Sequence, residues 1–255
     1  MKKGIWILTI FVIMTSLFAR DLRFVGKVQS AMKGDRFGST VVPAGDVNND
    51  GFTDILICSE GSYTTQNYPG KVYLYLGSNR TPKDPAVVFV GEKPGDHFGV
   101  SAVALGDING DGFDDVISGA YNYANPLEPD TSVGRAYVYF GKSGTSSPFE
   151  ISDMIITGRR NYDYLGGTVG APGDVNGDGF ADFAVSADWD SISDDFTGSV
   201  LIFCGGFIPD TVPDYICRPV AGDEGFGWAI EGLGDITGDS YPDFAISNGV
   251  YDDTG

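Results

Sequence analysis

The sequence predicts an all-β protein assembled from repeated, four-stranded antiparallel sheets, and three observations carry that expectation. The first is composition: 29 Asp against 6 Glu in 255 residues, with 37 Gly, 13 Pro, 17 Phe and 13 Tyr. Asp favours turns and caps over helix interiors, so this mixture reads as short strands joined by turns. The second is self-similarity at a fixed period. The third is a set of short runs, apolar or alternating with aromatics, that recur at the same place in each period.

Four segments align: GDRFGSTVVPAGDVNNDGFTDILIC from Gly34, GDHFGVSAVALGDINGDGFDDVISG from Gly95, YDYLGGTVGAPGDVNGDGFADFAVS from Tyr162 and EGFGWAIEGLGDITGDSYPDFAIS from Glu224. An acidic loop opens at Asp46, Asp107, Asp174 and Asp235, spaced 61, 67 and 61 residues apart. Nine residues before each stands Phe37, Phe98, Leu165 or Phe226, always followed by Gly. Within a period the first strand runs from this pair to the loop, as in Ser39 to Ala44. The second follows the loop: Ile55 to Cys58, Val116 to Ser118 and Phe183 to Ser186. The third is aliphatic and aromatic, at Val72 to Leu76, Ala136 to Phe140 and Val200 to Cys204. The fourth is Val87 to Val90, Ile155 to Thr157 and a weaker Tyr215 to Arg218.

Strands apolar on both faces need covering on both sides, which one four-stranded unit cannot supply for itself. Radial repetition of such sheets gives a β-propeller, with repeats near residues 34–91, 95–158, 162–222 and 224–255 of a domain over 20–255. The fourth period stops at Asp252-Asp-Thr-Gly255, which matches Asp195 to Gly198 of the third, just before a third strand. Closed rings hold about four to eight complete blades, so the sequence reads as the N-terminal part of a longer propeller.

The loops have donors at alternate positions. They read Asp46-x-Asn48-x-Asp50-Gly-Phe52-x-Asp54, Asp107-x-Asn109-x-Asp111-Gly-Phe113-x-Asp115, Asp174-x-Asn176-x-Asp178-Gly-Phe180-x-Asp182 and Asp235-x-Thr237-x-Asp239-Ser-Tyr241-x-Asp243. Three carboxylates, an amide or hydroxyl oxygen and the backbone carbonyl of the seventh residue suit Ca2+, and Gly at the sixth position allows the bend. About four structural Ca2+ ions are therefore expected. The twelfth position is Ile57, Ser118, Val185 or Ile246 where an EF-hand carries Glu, and the flanks are strand-like. That excludes an EF-hand. A bare Asx-rich turn is the bland alternative; four in register, each with three Asp, argue against it. The fourth loop is the weakest, with Thr237 and Ser240 replacing Asn and Gly.

The phrases FGSTVVPAGDVNNDGFTD, FGVSAVALGDINGDGFDD and LGGTVGAPGDVNGDGFAD resemble FG-GAP repeats, as in the N-terminal propeller of integrin α subunits. The resemblance covers about Gly34 to Gly255; Leu165 departs from the motif Phe, and the small residues after the second strand vary. It implies a seven-bladed propeller whose loops bind Ca2+, and an extracellular adhesion role. No Asp-x-Ser-x-Ser motif is present, and no spacing holds an inserted adhesion domain.

In an up-and-down blade successive connections alternate between faces. The acidic loops thus lie opposite the connections between second and third strands, which are long and aromatic: Gly61 to Pro69 with Tyr63 and Tyr68, Tyr121 to Val133 with Tyr121 and Tyr123, and Asp188 to Thr197 with Trp189. Loop packing accounts for any one of these aromatics. As a set they are the expected surface for a protein or glycan ligand.

Met1-Lys2-Lys3, the apolar Ile5 to Phe18 and Ala19 have the layout of a secretory signal peptide, residues 1–19. An uncleaved anchor is the alternative, since Leu17 is large for its place. No second apolar stretch appears, so no membrane span is expected in the mature chain, which is secreted, held at the cell surface or periplasmic. Cys58, Cys204 and Cys217 are an odd set: Cys204 and Cys217 have spacing that permits pairing, and small core residues are the simpler reading. The net charge of −19 excludes nucleic acid as a partner. The single His97 occupies a slot filled elsewhere by Arg36, Tyr164 and Gly225, which reads as turn surface and not as a catalytic position. No nucleophile setting accompanies it, so no enzyme is expected. The alternative function is an accessory propeller of a secreted phospholipase- or glycosidase-type hydrolase whose catalytic domain lies outside this sequence. Asn79-Arg80-Thr81 is a glycosylation sequon.

Overall fold

A strand that is apolar on both faces is stable only between two other sheets, and this requirement organises the whole chain. The computed structural model describes residues 28, 35–60, 69–80, 82–127, 131–144, 151–187, 198–219 and 225–249. The first sheet is the meander β1 (Val41–Gly45), β2 (Asp54–Ser59), β3 (Lys71–Tyr75) and β4 (Val87–Val90). The second is β5 (Ala102–Gly106), β6 (Asp115–Ala120), β7 (Arg135–Tyr139) and β8 (Met154–Thr157). The third is β9 (Leu165–Gly173), β10 (Asp182–Ala187), β11 (Ser199–Phe203) and β12 (Tyr215–Cys217). The fourth is the pair β13 (Phe226–Gly234) and β14 (Asp243–Asn248). All pairings are antiparallel and sequential. These are β-propeller blades, as the repeats predict.

The third strands start one residue earlier than expected because Lys71, Arg135 and Ser199 pair with Ser59, Ala120 and Ala187. The second strands also start earlier, on the last Asp of each acidic loop. The signal-peptide residues 1–19, Tyr63, Tyr68, Trp189 and residues 252–255 lie outside the described residues.

Alternation along the second strands sends consecutive side chains into different cores. Val116 packs with Leu56, Cys58, Leu74 and Phe89 of the first blade. Its neighbour Ile117 packs instead with Val169, Phe183, Val185 and Phe203 of the third. Ala184 then joins Ile230 and Phe244 between the third and fourth sheets. Phe98 leaves its own blade to fill the first core, edge-on to Tyr137 with ring centroids 5.4 Å apart. Its backbone comes so close to the first blade that a Cβ on Gly70 would lie 1.8 Å from the Phe98 carbonyl oxygen. Leu165 takes the matching place in the second core.

Cys58 is buried, and Cys204 and Cys217 are both free thiols. Val200 opposes Cys217 in the register and Ile202 opposes Tyr215, so Cys204 lies well along the strand from Cys217. Cys58 is a small core residue and Cys217 packs at a core's edge, whereas Cys204 is half-buried and joins no core cluster among the described residues.

Because Phe98 is 1% exposed while Phe226 is only partly buried, truncating them should differ sharply. Phe98→Ala is expected to cost about 3–5 kcal/mol and Phe226→Ala clearly less. Urea unfolding followed by tyrosine fluorescence checks this; equal losses would contradict the inter-blade role of Phe98.

Candidate functional site

The four acidic loops share one backbone design. Their fourth residue is left-handed, with φ of 54° at Asn49, 75° at Gly110 and Gly177, and 81° at Gly238. So is the sixth, at Gly51, Gly112, Gly179 and Ser240. Ser240 holds φ 77° without the freedom of glycine, which makes the fourth loop the strained one. The turn wraps around the first Asp. Asp46 Oδ1 accepts from the Asp50 N–H at 2.9 Å and Oδ2 from Gly51 at 2.8 Å. Asp107, Asp174 and Asp235 do the same for their own fifth and sixth residues.

The third and fifth positions are tied to each other. Asn48 Oδ1 accepts from the Asp50 N–H, and its Nδ2 donates to Asp50 Oδ2 at 3.0 Å. Asn109 with Asp111 and Asn176 with Asp178 repeat the pair. Asp50, Asp111, Asp178 and Asp239 each accept from the N–H of the seventh residue, Phe52, Phe113, Phe180 or Tyr241. Thr237 donates its N–H to Asp243.

The ninth residue does something the sequence did not announce. Asp54, Asp115 and Asp182 are completely buried at the head of their strands. Asp54 accepts from Val47 N–H at 3.0 Å and from Gly77 N–H, just past β3, at 2.7 Å. Asp115 binds Ile108 and Gly141 in the same way, and Asp182 binds Val175 and Gly205. Asp243 binds Ile236 and Thr237. Burial pushes the carboxyl of Asp54 up to about 6 and that of Asp115 up to about 7, against the pull of these N–H donors. The other two carboxylates of each loop push in the same upward direction. Asp182 is shifted upward for the same reasons.

The first and fifth carboxylates are therefore gathered at the loop surface while the ninth is turned inward. As the side chains lie, no three acidic, histidine or cysteine groups among the described residues converge closely enough to hold a cation. The donor chemistry nevertheless fits a hard cation. Each loop concentrates three carboxylates, and among the described residues no Lys, Arg or His is ion-paired with any of them. In the first three loops one of the three is desolvated, where an unneutralised charge is most costly.

The loops are also joined from blade to blade. The carbonyl of Asp46 accepts from Asp114 N–H at 3.3 Å, and that of Val47 from Lys142 N–H at 2.9 Å. Asp107 and Ile108 receive Ala181 and Gly206 in the same manner. The ring of Phe180 sits where a Cβ on Gly110 would be, 2.6 Å away, and Tyr241 does likewise at Gly177. Asp114 Oδ2 also accepts from Asp46 N–H, at 2.7 Å. Sequence reasoning passed over Asp114; the signal was an Asp present at that position only in the second loop, where the others have Thr53, Ala181 and Pro242.

On the opposite face, the Tyr121 loop is the aromatic connection that falls largely within the described residues. His97 stacks on Tyr121 with ring centroids 5.1 Å apart, Tyr121 lies 6.1 Å from Tyr164, and Tyr164 lies 6.2 Å from Tyr162. His97 is half-buried, so it is less of a bare turn residue than its variable slot suggests, and burial lowers its proton affinity. Tyr123 is buried, with the Arg135 guanidinium 3.7 Å above its ring, and is a packing residue and not an exposed anchor.

A family model described as FG-GAP-like repeat matches residues 46–118, and one described as FG-GAP repeat matches 99–139 and 166–203. Together they span just over half of the chain. The chain is 31% identical to integrin alpha-PS2 of Drosophila melanogaster over 231 residues, which are 87% of this chain and 16% of that protein. It is 33% identical to integrin alpha-IIb of Mus musculus over 166 residues, 63% of this chain and 15% of that protein. With integrin alpha-7 of Mus musculus the identity is 32% over 185 residues, 71% of this chain and again 15% of the relative. The chain thus spans about one sixth of the length of these relatives. With its blades, its loops and these matches in agreement, the chain belongs to the FG-GAP repeat family and is integrin α-like in its repeats.

Proposed function

We propose that this chain is the calcium-stabilised propeller of an exported adhesion or ligand-binding protein, led by a signal peptide at residues 1–19 and recognising a protein or glycan on the face away from its acidic loops. The observation that carries the calcium reading is the uncompensated charge of the loops, three carboxylates each with no ion-paired cation among the described residues. In each loop the ion would be held by the first, third, fifth and ninth side chains and the seventh carbonyl: Asp46, Asn48, Asp50, Phe52 and Asp54, and their counterparts through Asp235, Thr237, Asp239, Tyr241 and Asp243. Bound there, Ca2+ neutralises carboxylates that otherwise repel. The protein's own part is to shape the turn around the first Asp and to anchor the ninth on strand backbone. Extracellular modules bind Ca2+ at roughly 10⁻⁴ to 10⁻³ M, which suits the export implied by the leader. A role in adhesion is supported by the integrin α relatives, and binding in place of catalysis by the same likeness.

Calcium at ten times Kd should add about 1.4 kcal/mol per loop, so the melting temperature should rise with Ca2+ and fall in EDTA. An unchanged melt together with no heat of binding by calorimetry would remove calcium from the proposal. Two substitutions separate a residue that is only a proposed ligand from one that is also a structural tie. In EDTA, Asp115→Ala should cost about 2–4 kcal/mol because it strands two buried N–H groups, whereas Asp111→Ala should cost under about 1 kcal/mol. In calcium, Asp111→Ala should lose the increment of its own loop. Equal costs in EDTA would overturn the division of roles.

On arrays of extracellular matrix proteins and of glycans, Tyr121→Ala should weaken capture by about tenfold, and Asp111→Ala should leave it unchanged at saturating calcium. The reverse pattern would place recognition on the acidic face.

A further inference from the structure

The chain has sixteen basic residues against thirty-five acidic ones, yet two of the sixteen, Arg135 and Arg159, line one cavity, and Lys93 lies over the Tyr123 ring that walls it. The cavity, about 300 Å3, opens on the face away from the acidic loops. Tyr123 and Asn125 of the second blade's aromatic loop form one wall, and Thr157, Arg159 and Asn161, leading into the third blade, form the other. Arg135 lies at the head of β7 between them.

Arg135 is held in place on several sides. Its Nε donates to Thr157 Oγ1 at 3.0 Å and its Nη1 to Glu92 Oε1 at 2.5 Å, while its guanidinium carbon lies over the Tyr123 ring, 3.7 Å from the centroid. The Tyr137 hydroxyl donates to the same Glu92 oxygen at 3.0 Å. Lys93 Nζ is 5.3 Å from the centre of the Tyr123 ring. Arg159 is exposed, and among the described residues no carboxylate is ion-paired with its guanidinium. Among the described residues, Asp163 is buried and accepts the backbone N–H groups of Arg159 and Arg160, and Asp96 is buried beside Lys93.

We propose that this cavity is a carboxylate-binding subsite that takes a single acidic side chain of a protein ligand, with Arg159 supplying the primary contact and Arg135 the preorganised second cation. Guanidinium groups pair with carboxylates through two parallel N–H donors and do not deprotonate, which gives this chemistry both geometry and charge. The volume is at the small end of ligand cavities and suits one side chain better than an oligosaccharide. The overall charge of −19 opposes a polyanion, such as a sulfated glycan, far more than it opposes one carboxylate. Glu92 competes with the ligand for Arg135 and sets the affinity.

The inference rests on the reading that this face is the recognition face, and fragment titration tests the cavity by itself. The full chain is titrated, by ligand-observed NMR, with a capped Gly-Ala-Glu-Ala-Gly peptide, with its Gln counterpart and with a heparin tetrasaccharide. The Glu peptide should bind about tenfold more tightly than the Gln peptide. Arg159→Gln, a surface change that leaves the core alone, should remove most of that difference, and Arg159→Lys should keep part of it. Glu92→Gln should tighten the Glu peptide severalfold. Equal binding of the two peptides, indifference to Arg159→Gln, or stronger binding of the tetrasaccharide would each overturn the subsite. If the subsite fails while Tyr121→Ala still weakens array capture, the recognition face stands without it.

Discussion

The interaction on which the rest of the structure depends is the buried carboxylate at the ninth position of the first three acidic loops. Asp54, Asp115 and Asp182 each fasten three pieces of chain: the loop that precedes them, the strand they begin and the residue just past the third strand. Charge-assisted hydrogen bonds to backbone N–H are strong enough to justify burying the group, but they do not remove its charge. Two further carboxylates in every loop add to that charge. The fold therefore builds electrostatic stress into the point that holds each blade together, because the residue that ties the chain is also the most desolvated charge of its loop.

That local tie becomes global because no blade is complete alone. Successive residues such as Val116 and Ile117 enter different inter-blade cores, and Phe98 and Leu165 cross into the core before their own sheet. On the loop side the same joints are closed by backbone bonds from Asp114, Lys142, Ala181 and Gly206 to the preceding loop. Stability in such an array is a sum of repeat and nearest-neighbour terms. A change in one loop is thus felt first at the joints on either side of it.

The periodic features were legible in the sequence because each is local. The strands follow from apolar runs, the loops from alternate Asp and Asn, and the weakness of the fourth loop from Ser240, which does adopt a glycine-like φ. Features that depend on the next blade were not. Nothing in the spacing of Asp54 distinguishes a surface ligand from a buried tie, since that depends on where Gly77 comes to rest. Asp114 and the seat of Phe180 on Gly110 exist only once two loops are side by side. Tyr123 looked like an exposed anchor until Arg135, from the strand that follows its loop, covered it.

The slot before the motif aromatic shows how one backbone carries both constraint and variety. Arg36, His97, Tyr164 and Gly225 differ in size and charge, yet their φ values are 56°, 59°, 51° and 69°. A left-handed non-glycine residue costs about 1–2 kcal/mol, so three of the four copies keep a strain that glycine would remove. The side chains account for what is kept. Arg36 pairs with Glu60, His97 stacks on Tyr121, and Tyr164 continues the aromatic chain toward Tyr162. All three sit at the entrance to a blade, opposite the acidic loops. The repeat fixes the backbone there and leaves the side chain to differ: the acidic face repeats one chemistry four times, and the other face presents a different group at each blade.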